Sequence, residues 1–151
     1  MVDVVDAATR SRMMSGIKSK NTAPELLVRR ALHRRGFRYR LHAKGLPGSP
    51  DLTFAGRRAA VFIHGCFWHR HQGCRYATTP ATRRDFWQTK FDINVARDER
   101  AFAALRAAGW RVAVVWECAV REQFADTISQ LEHWLVSEAG HFESGRGLTS
   151  E

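Results

Sequence analysis

The chain has 151 residues, one domain by length, and its 44% hydrophobic content is enough to build a core, which excludes a disordered tail. No apolar run approaches the roughly 20 residues of a membrane-spanning helix. Met1-Val2-Asp3-Val4-Val5-Asp6 lacks the basic start and long apolar stretch of an export signal, so a cytoplasmic protein is expected.

The net charge of +9 is unevenly spread. Residues 1–58 carry 13 Lys/Arg against 4 Asp/Glu, whereas residues 59–151 carry 11 of each. Arg10, Arg12, Lys18, Lys20, Arg29, Arg30, Arg34, Arg35, Arg38 and Arg40 supply most of the excess. A one-sided basic surface suits a polyanion, most often nucleic acid. The plainer alternative is a solvated basic helix face. An anionic membrane is disfavoured, because no basic amphipathic helix carries exposed aromatics.

In chain order, residues 1–20 are polar and basic and form an arm or a short helix. Thr22-Ala23-Pro24-Glu25 has capping-box spacing with an early proline, so a helix starts near Ala23. Leu26, Leu27, Ala31 and Leu32 give it an apolar stripe, and Gly36 stops it. Phe37 to Leu41 alternates with period two and reads as a strand. After a turn-rich loop from Gly45 to Pro50, Asp51-Leu52-Thr53-Phe54 opens a second strand. Gly56-Arg57-Arg58 then turns the chain into the apolar strand 59–64 as a hairpin.

Thr82-Arg83-Arg84-Asp85 is a second capping-box spacing and predicts a long helix to about Ala108, with Phe86, Ile93, Ala101, Ala104 and Leu105 as core positions. Residues 110–116 read as a strand, and Phe124, Ile128, Leu131 and Leu135 mark a last amphipathic helix. Residues 139–151 are rich in Gly and Ser and are expected to fray. The order α-β-β-β-α-β-α predicts an α/β fold, a mixed central sheet flanked by helices.

The most informative stretch is Gly65 to Cys74, just past the third strand. Cys66-x4-His71-x2-Cys74 places three soft ligands within nine residues. Zinc sites rarely take all four ligands from one loop. Cys118 closes such a site if strand 110–116 runs parallel beside strand 59–64. Three cysteines without an export signal disfavour disulfides, and plain burial of free thiols is the alternative. His69, left free beside a metal centre, has the ordinary pKa of a general base and needs an orienting carboxylate, for which Asp98 is one choice. His69 also reads as a spare ligand or a surface histidine. Asp51 follows Pro50 at a strand mouth, as the first carboxylate of many metal-dependent nucleases does, but the Glu-x-Lys that usually follows is replaced by Phe62-Ile63-His64. Phe67-Trp68 and Trp87 suit either wedging between base pairs or a hydrophobic cluster at the metal site.

Over roughly residues 3–137 the chain resembles the very short patch repair (Vsr) T·G mismatch endonucleases. The resemblance rests on Ala8-Thr9-Arg10-Ser11 with Met14, Thr22-x-x-Glu25, Leu46-Pro47-Gly48-x-Pro50-Asp51 and Gly65-Cys66-Phe67-Trp68-His69. It continues with Pro80-Ala81-Thr82-Arg83, Asn94-x-x-x-Asp98, Gly109-Trp110-Arg111-Val112 and Val115-Trp116-Glu117-Cys118.

The resemblance implies a restriction-endonuclease-like fold with a structural zinc, and magnesium-dependent nicking of DNA beside a thymine mispaired with guanine. It implies magnesium on Asp51 and the Ile63 carbonyl, His69 activating water with Asp98 orienting it, and Glu25 and His64 bonded to metal-bound waters. Zinc would be held by Cys66, His71, Cys74 and Cys118, although the composition of the loop leaves His69 open as the zinc histidine. Phe67, Trp68 and Trp87 would enter DNA from the major groove, with Met14 on the minor-groove side. On this reading residues 1–20 are a DNA-contacting segment, 21–138 the endonuclease domain and 139–151 a flexible tail. The enzyme would act as a monomer, with mismatch-repair proteins as further partners. Rival readings are a non-catalytic zinc-stabilised DNA-binding module, an enzyme cutting both strands of paired DNA, and a Cys66/His69 thiol hydrolase.

Overall fold

The computed structural model describes residues 21–144. Met14 and the rest of the basic arm lie outside the described residues. Among the described residues, no helix is long and apolar enough to cross a membrane.

Helix α1 spans Ala23–Arg34 and begins where the capping signal puts it: Thr22 is the N-cap and its hydroxyl accepts from Glu25 N. Its buried stripe is Glu25, Val28, Ala31 and Leu32, while Leu27 is half exposed. Strand β1 is only Arg40–Leu41. The expected alternation from Phe37 does appear in burial, since Phe37 is buried and Tyr39 partly so, both edge-on to Phe54. The ladder is short because its partner β2, Leu52–Phe54, has just three residues. A 3-10 turn at Ala55–Arg57, with Arg58 left-handed, leads into β3, Ala59–His64, which pairs antiparallel with β2 as a hairpin.

The long helix α2 covers Arg84–Ala107. Its N-cap is Arg83 in a left-handed conformation, whose side chain makes no capping bond, so the helix begins one residue later than the Thr82–Asp85 spacing predicts. Two of its expected core positions, Ala101 and Leu105, are buried, but Phe86, Ile93 and Ala104 are exposed, and Phe91 is the buried aromatic instead. Length explains this. Twenty-four helical residues span about 36 Å, while a six-residue strand covers about 20 Å. Only the second half of α2 therefore lies on the sheet, and its first half overhangs.

Strand β4, Arg111–Trp116, runs parallel to β3 with His64 opposite Trp116. Helix α3, Glu117–Glu122, and helix α4, Phe124–Val136, follow. Within the segment expected to fray, His141–Glu143 form a fifth strand, β5, parallel to β4, and residues 145–151 lie outside the described residues. Ser144 Oγ accepts from Trp116 N at 3.1 Å, and Trp116 Nε1 donates to Glu143 at 2.7 Å.

The sheet order is β1-β2-β3-β4-β5, antiparallel through β3 and parallel beyond. This is the mixed, helix-flanked sheet that the pattern predicts. Alternate residues of β3 and β4 face opposite layers. Val61, Ala113 and Val115 pack with Val28, Leu32, Ile128 and Leu131, and Ala60, Phe62 and Val112 pack with Leu105. Both central strands end at the same edge, and the loop after β3 leaves from it.

Candidate active site and metal centre

The parallel pairing of β3 and β4 delivers His64 and Trp116 side by side, so Cys66 and Cys118, two residues further along each strand, come together. Cys118 N donates to Cys66 Sγ at 3.4 Å. The loop from Gly65 folds back on itself through His69 N to Gly65 O and His71 N to Cys66 O, both 3.1 Å. This return places His71 Nδ1 3.7 Å from Cys66 Sγ and 3.4 Å from Cys118 Sγ.

Cys66, His71, Cys74 and Cys118 are all buried, and their ligand atoms lie within 4.8 Å of one another. Tetrahedral zinc with ordinary bond lengths sets sulfur–nitrogen edges of roughly 3.6 Å, so the donor set and spacing fit a metal. Trp116 stacks on His71 with centroids 4.2 Å apart, fixing the imidazole plane. Burial pushes the Cys66 thiol pKa strongly upward, so without a cation Cys66 is a thiol rather than a reactive thiolate, which argues against the thiol hydrolase. His71, not His69, joins the three cysteines.

His69 turns the other way. Its Nδ1 lies 2.6 Å from Asp98 Oδ2, just past the middle of α2. Its ring stacks on His64, with centroids 3.7 Å apart and planes 6° from parallel. His64 is buried against Phe62, Phe102 and Trp116, and desolvation, then the neighbouring His69, lowers its pKa well below the ordinary imidazole value. His64, His69 and Asp98 are close enough to share a metal by distance. Lone pairs in the planes of two parallel rings do not converge on one ion, so the arrangement suits proton transfer better than ligation.

One residue back along β3, Ile63 N donates to Asp51 Oδ2 at 2.7 Å, which aims the carboxylate across the hairpin. Burial, and then the charge of Glu25, raise the Asp51 pKa to about 7 against the pull of the Ile63 amide. A carboxyl so placed favours a cation beside it. Glu25, 1% exposed, accepts from Asn21 N, Arg29 and His42. Glu25, His42 and Asp51 place one donor each within 4.8 Å of one another. His42 went unnoticed in the sequence. It is reached only because β1 ends at Leu41 and His42 takes a left-handed conformation, φ 48°.

Phe67, Trp68 and Trp87 are half buried and packed on one another, with Phe67–Trp68 centroids at 4.9 Å and Trp68–Trp87 at 5.8 Å. Phe91 closes the cluster from below. Arg70 was also missed. It lies over Phe91 at 3.9 Å and donates to the carbonyls of Phe67, Ala77 and Thr78, bracing the loop. The aromatic group is thus both a cluster beside the metal site and a partly open surface.

An imidazole oriented by a carboxylate, with a buried and a partly buried carboxylate reached from the adjoining residue of β3, is equipment for hydrolysis. Comparison with known proteins names the class. Residues 2–75 match the family described as DNA mismatch endonuclease Vsr. The chain is 52% identical over 118 residues to the type II nicking enzyme V.XorIIP of Xanthomonas oryzae, covering 78% of this chain and 86% of the relative. It is 42% identical over 142 residues to the DNA mismatch endonuclease Vsr of Escherichia coli, covering 91% and 90%. It is 41% identical over 123 residues to the type II nicking enzyme V.NmeAIP of Neisseria meningitidis, covering 82% and 87%. The chain is a nuclease, a hydrolase acting on DNA. It belongs to the Vsr family of DNA mismatch endonucleases.

Proposed function

We propose that this chain is a magnesium-dependent endonuclease that nicks one DNA strand 5′ to a thymine mispaired with guanine, in very short patch repair of deaminated 5-methylcytosine. The observation that carries the reading is the His69–Asp98 pair at 2.6 Å, close along β3 to the Asp51–Glu25 carboxylates.

Asp51, with the Ile63 carbonyl, would hold magnesium, which when bound neutralises phosphate charge and acidifies water. Asp98 accepts Nδ1–H of His69 and keeps the other ring nitrogen free to take a proton from the attacking water. Glu25 and a neutral His64 would hydrogen-bond water around the cation. Cys66, His71, Cys74 and Cys118 would hold a structural zinc that pins the loop bearing His69, so the base and the wedge share one anchor.

Phe67, Trp68 and Trp87 would enter the stack from the major groove, with Met14 from the minor-groove side. Mispaired steps cost least to open, which turns local weakness into selectivity. Exposed Arg30, Arg34, Arg38 and Lys44, together with the basic arm 1–20, would supply phosphate contacts. A monomer suffices to cut one strand. Any mismatch-repair protein would act downstream or beside it.

The reading is tested with a labelled duplex carrying one T·G mispair, with magnesium or with chelator. A nick only with magnesium supports it. Tight, salt-sensitive binding with no cleavage under either condition would instead make the chain a non-catalytic DNA-binding module.

A further inference from the structure

Glu25 accepts from three donors: Asn21 N at 2.8 Å, Arg29 Nη1 at 3.1 Å and His42 Nε2 at 2.7 Å. The first two already satisfy one oxygen each, and Arg29 supplies the opposite charge, so Glu25 is held without His42. Asp51 has a different balance. Among the described residues its carboxylate accepts from the Ile63 amide alone, and it faces Glu25 in a largely buried setting.

His42 is tied to Asp51 by the backbone. His42 N donates to Asp51 O at 3.0 Å, one step beyond the Leu41–Leu52 pair. His42 takes a left-handed backbone, φ 48°, a conformation that histidine, like asparagine and aspartate, adopts more readily than most side chains. It brings an imidazole nitrogen within 4.8 Å of both carboxylates. The ring is one-fifth exposed, so solvent can carry its proton between the two nitrogens.

We propose that His42 is a direct ligand to the divalent cation at Asp51. Its Nε2 leaves Glu25 and coordinates as the Nδ1–H tautomer, giving a site with one nitrogen and carboxylate oxygen. The inference rests on the metal-dependent reading of Asp51. Its chemical consequence is a shift in metal preference, because magnesium takes hard oxygen ligands and water, whereas transition ions accept imidazole, manganese the least strongly of them. Nitrogen ligation should therefore favour manganese over magnesium more than an all-oxygen site does.

The test uses the full-length protein with its cysteine–histidine site first filled with zinc, no DNA, and manganese(II) as the probe. Pulsed electron paramagnetic resonance reads nitrogen coupling to bound manganese, and calorimetry reads affinity for manganese and magnesium. His42→Gln keeps a donor for Glu25 but offers magnesium and manganese no imidazole. The expected result is nitrogen coupling in the wild type that is lost in His42→Gln, with manganese affinity falling about tenfold and magnesium affinity changing less than about twofold.

Manganese that disappears with Asp51→Asn, yet shows no nitrogen coupling lost in His42→Gln, would overturn the inference while leaving the Asp51 site standing. His42 would then only orient Glu25. Manganese bound equally well by Asp51→Asn would overturn the Asp51 site itself, and the inference with it.

Discussion

His69 Nδ1 and Asp98 Oδ2 meet at 2.6 Å, though one residue stands on the loop after β3 and the other halfway along α2. The carboxylate fixes which imidazole nitrogen points away, and a base held in this way transfers protons without first finding its orientation. Asp98→Asn and His69→Ala should each slow nicking by about 10²–10⁴-fold. Binding to a mispaired duplex should stay within about twofold, because general-base loss acts on the chemical step. Single-turnover cleavage beside a binding titration checks this, and an unchanged cleavage rate would remove His69 from the chemistry.

Asp51 links the site to stability. Its pKa rises from an ordinary carboxyl value of 3.8 to about 7 in the fold without a cation. Between these values the folded state binds the proton more tightly than the unfolded state, so stability is lost as pH rises through that window. Divalent-free Asp51→Asn should lack this slope. It should be the more stable protein near pH 8 by up to a few kcal/mol and lose that advantage as pH falls through the window toward the unfolded value of 3.8. Magnesium should recover the wild type near pH 8 and leave the variant unmoved. Parallel denaturation curves for the two proteins across pH would show that the carboxyl is not strained.

Cys118 is the one cluster member outside the loop, and it joins β4 to the residues after β3. If the four residues hold zinc as proposed, Cys118→Ser should lower bound zinc per protein and the melting temperature together, because ligation of a structural metal contributes folding free energy. Metal content by emission spectroscopy and a thermal melt read both. Unchanged values would mean that the four residues do not form one site.

Trp68 sits in the aromatic group with its backbone carbonyl held by Asn94 at 3.2 Å. Trp68→Ala should reduce the preference for T·G over matched DNA while leaving the salt dependence of binding intact. Arg34→Ala should do the reverse, weakening both duplexes alike and reducing the salt slope by about one. Equal losses of T·G and matched binding for Trp68→Ala would place it with the phosphate contacts.

The β5 strand predicts a structural effect at a distance. Trp116 is held by Ser144 and Glu143 on one side and stacks on His71 on the other. Ending the chain at Glu138 should lower the melting temperature and speed zinc loss to a chelator. A truncated protein that keeps its zinc as long as the full chain would uncouple β5 from the metal cluster.

Much of this site was legible because its signals are local. Thr22-x-x-Glu25 marks a helix start from neighbouring residues alone, and the chain connecting β3 to β4 through one helix implies a parallel crossover. That crossover brings Cys118 to Cys66. Phe86 and Ile93 misled because periodicity shows which face of a helix is apolar, not how much of the helix the sheet covers. His42 was hidden by a single left-handed residue that turns it toward Glu25, 17 positions away. The β5 strand was hidden by Gly/Ser composition, and its pairing with β4 depends on Trp116 and Ser144 rather than on its own propensity.

The central claim is that the Asp51, His69 and Asp98 constellation cuts one strand at a T·G mispair. The most direct test labels each strand separately in duplexes with one T·G pair or the matched T·A pair, over several flanking sequences, and maps the cuts made with magnesium. The account predicts a single nick 5′ to the mispaired thymine, none on the guanine strand or matched DNA, and none at all with Asp51→Asn. Cuts on both strands, or equal cutting of matched DNA, would contradict it.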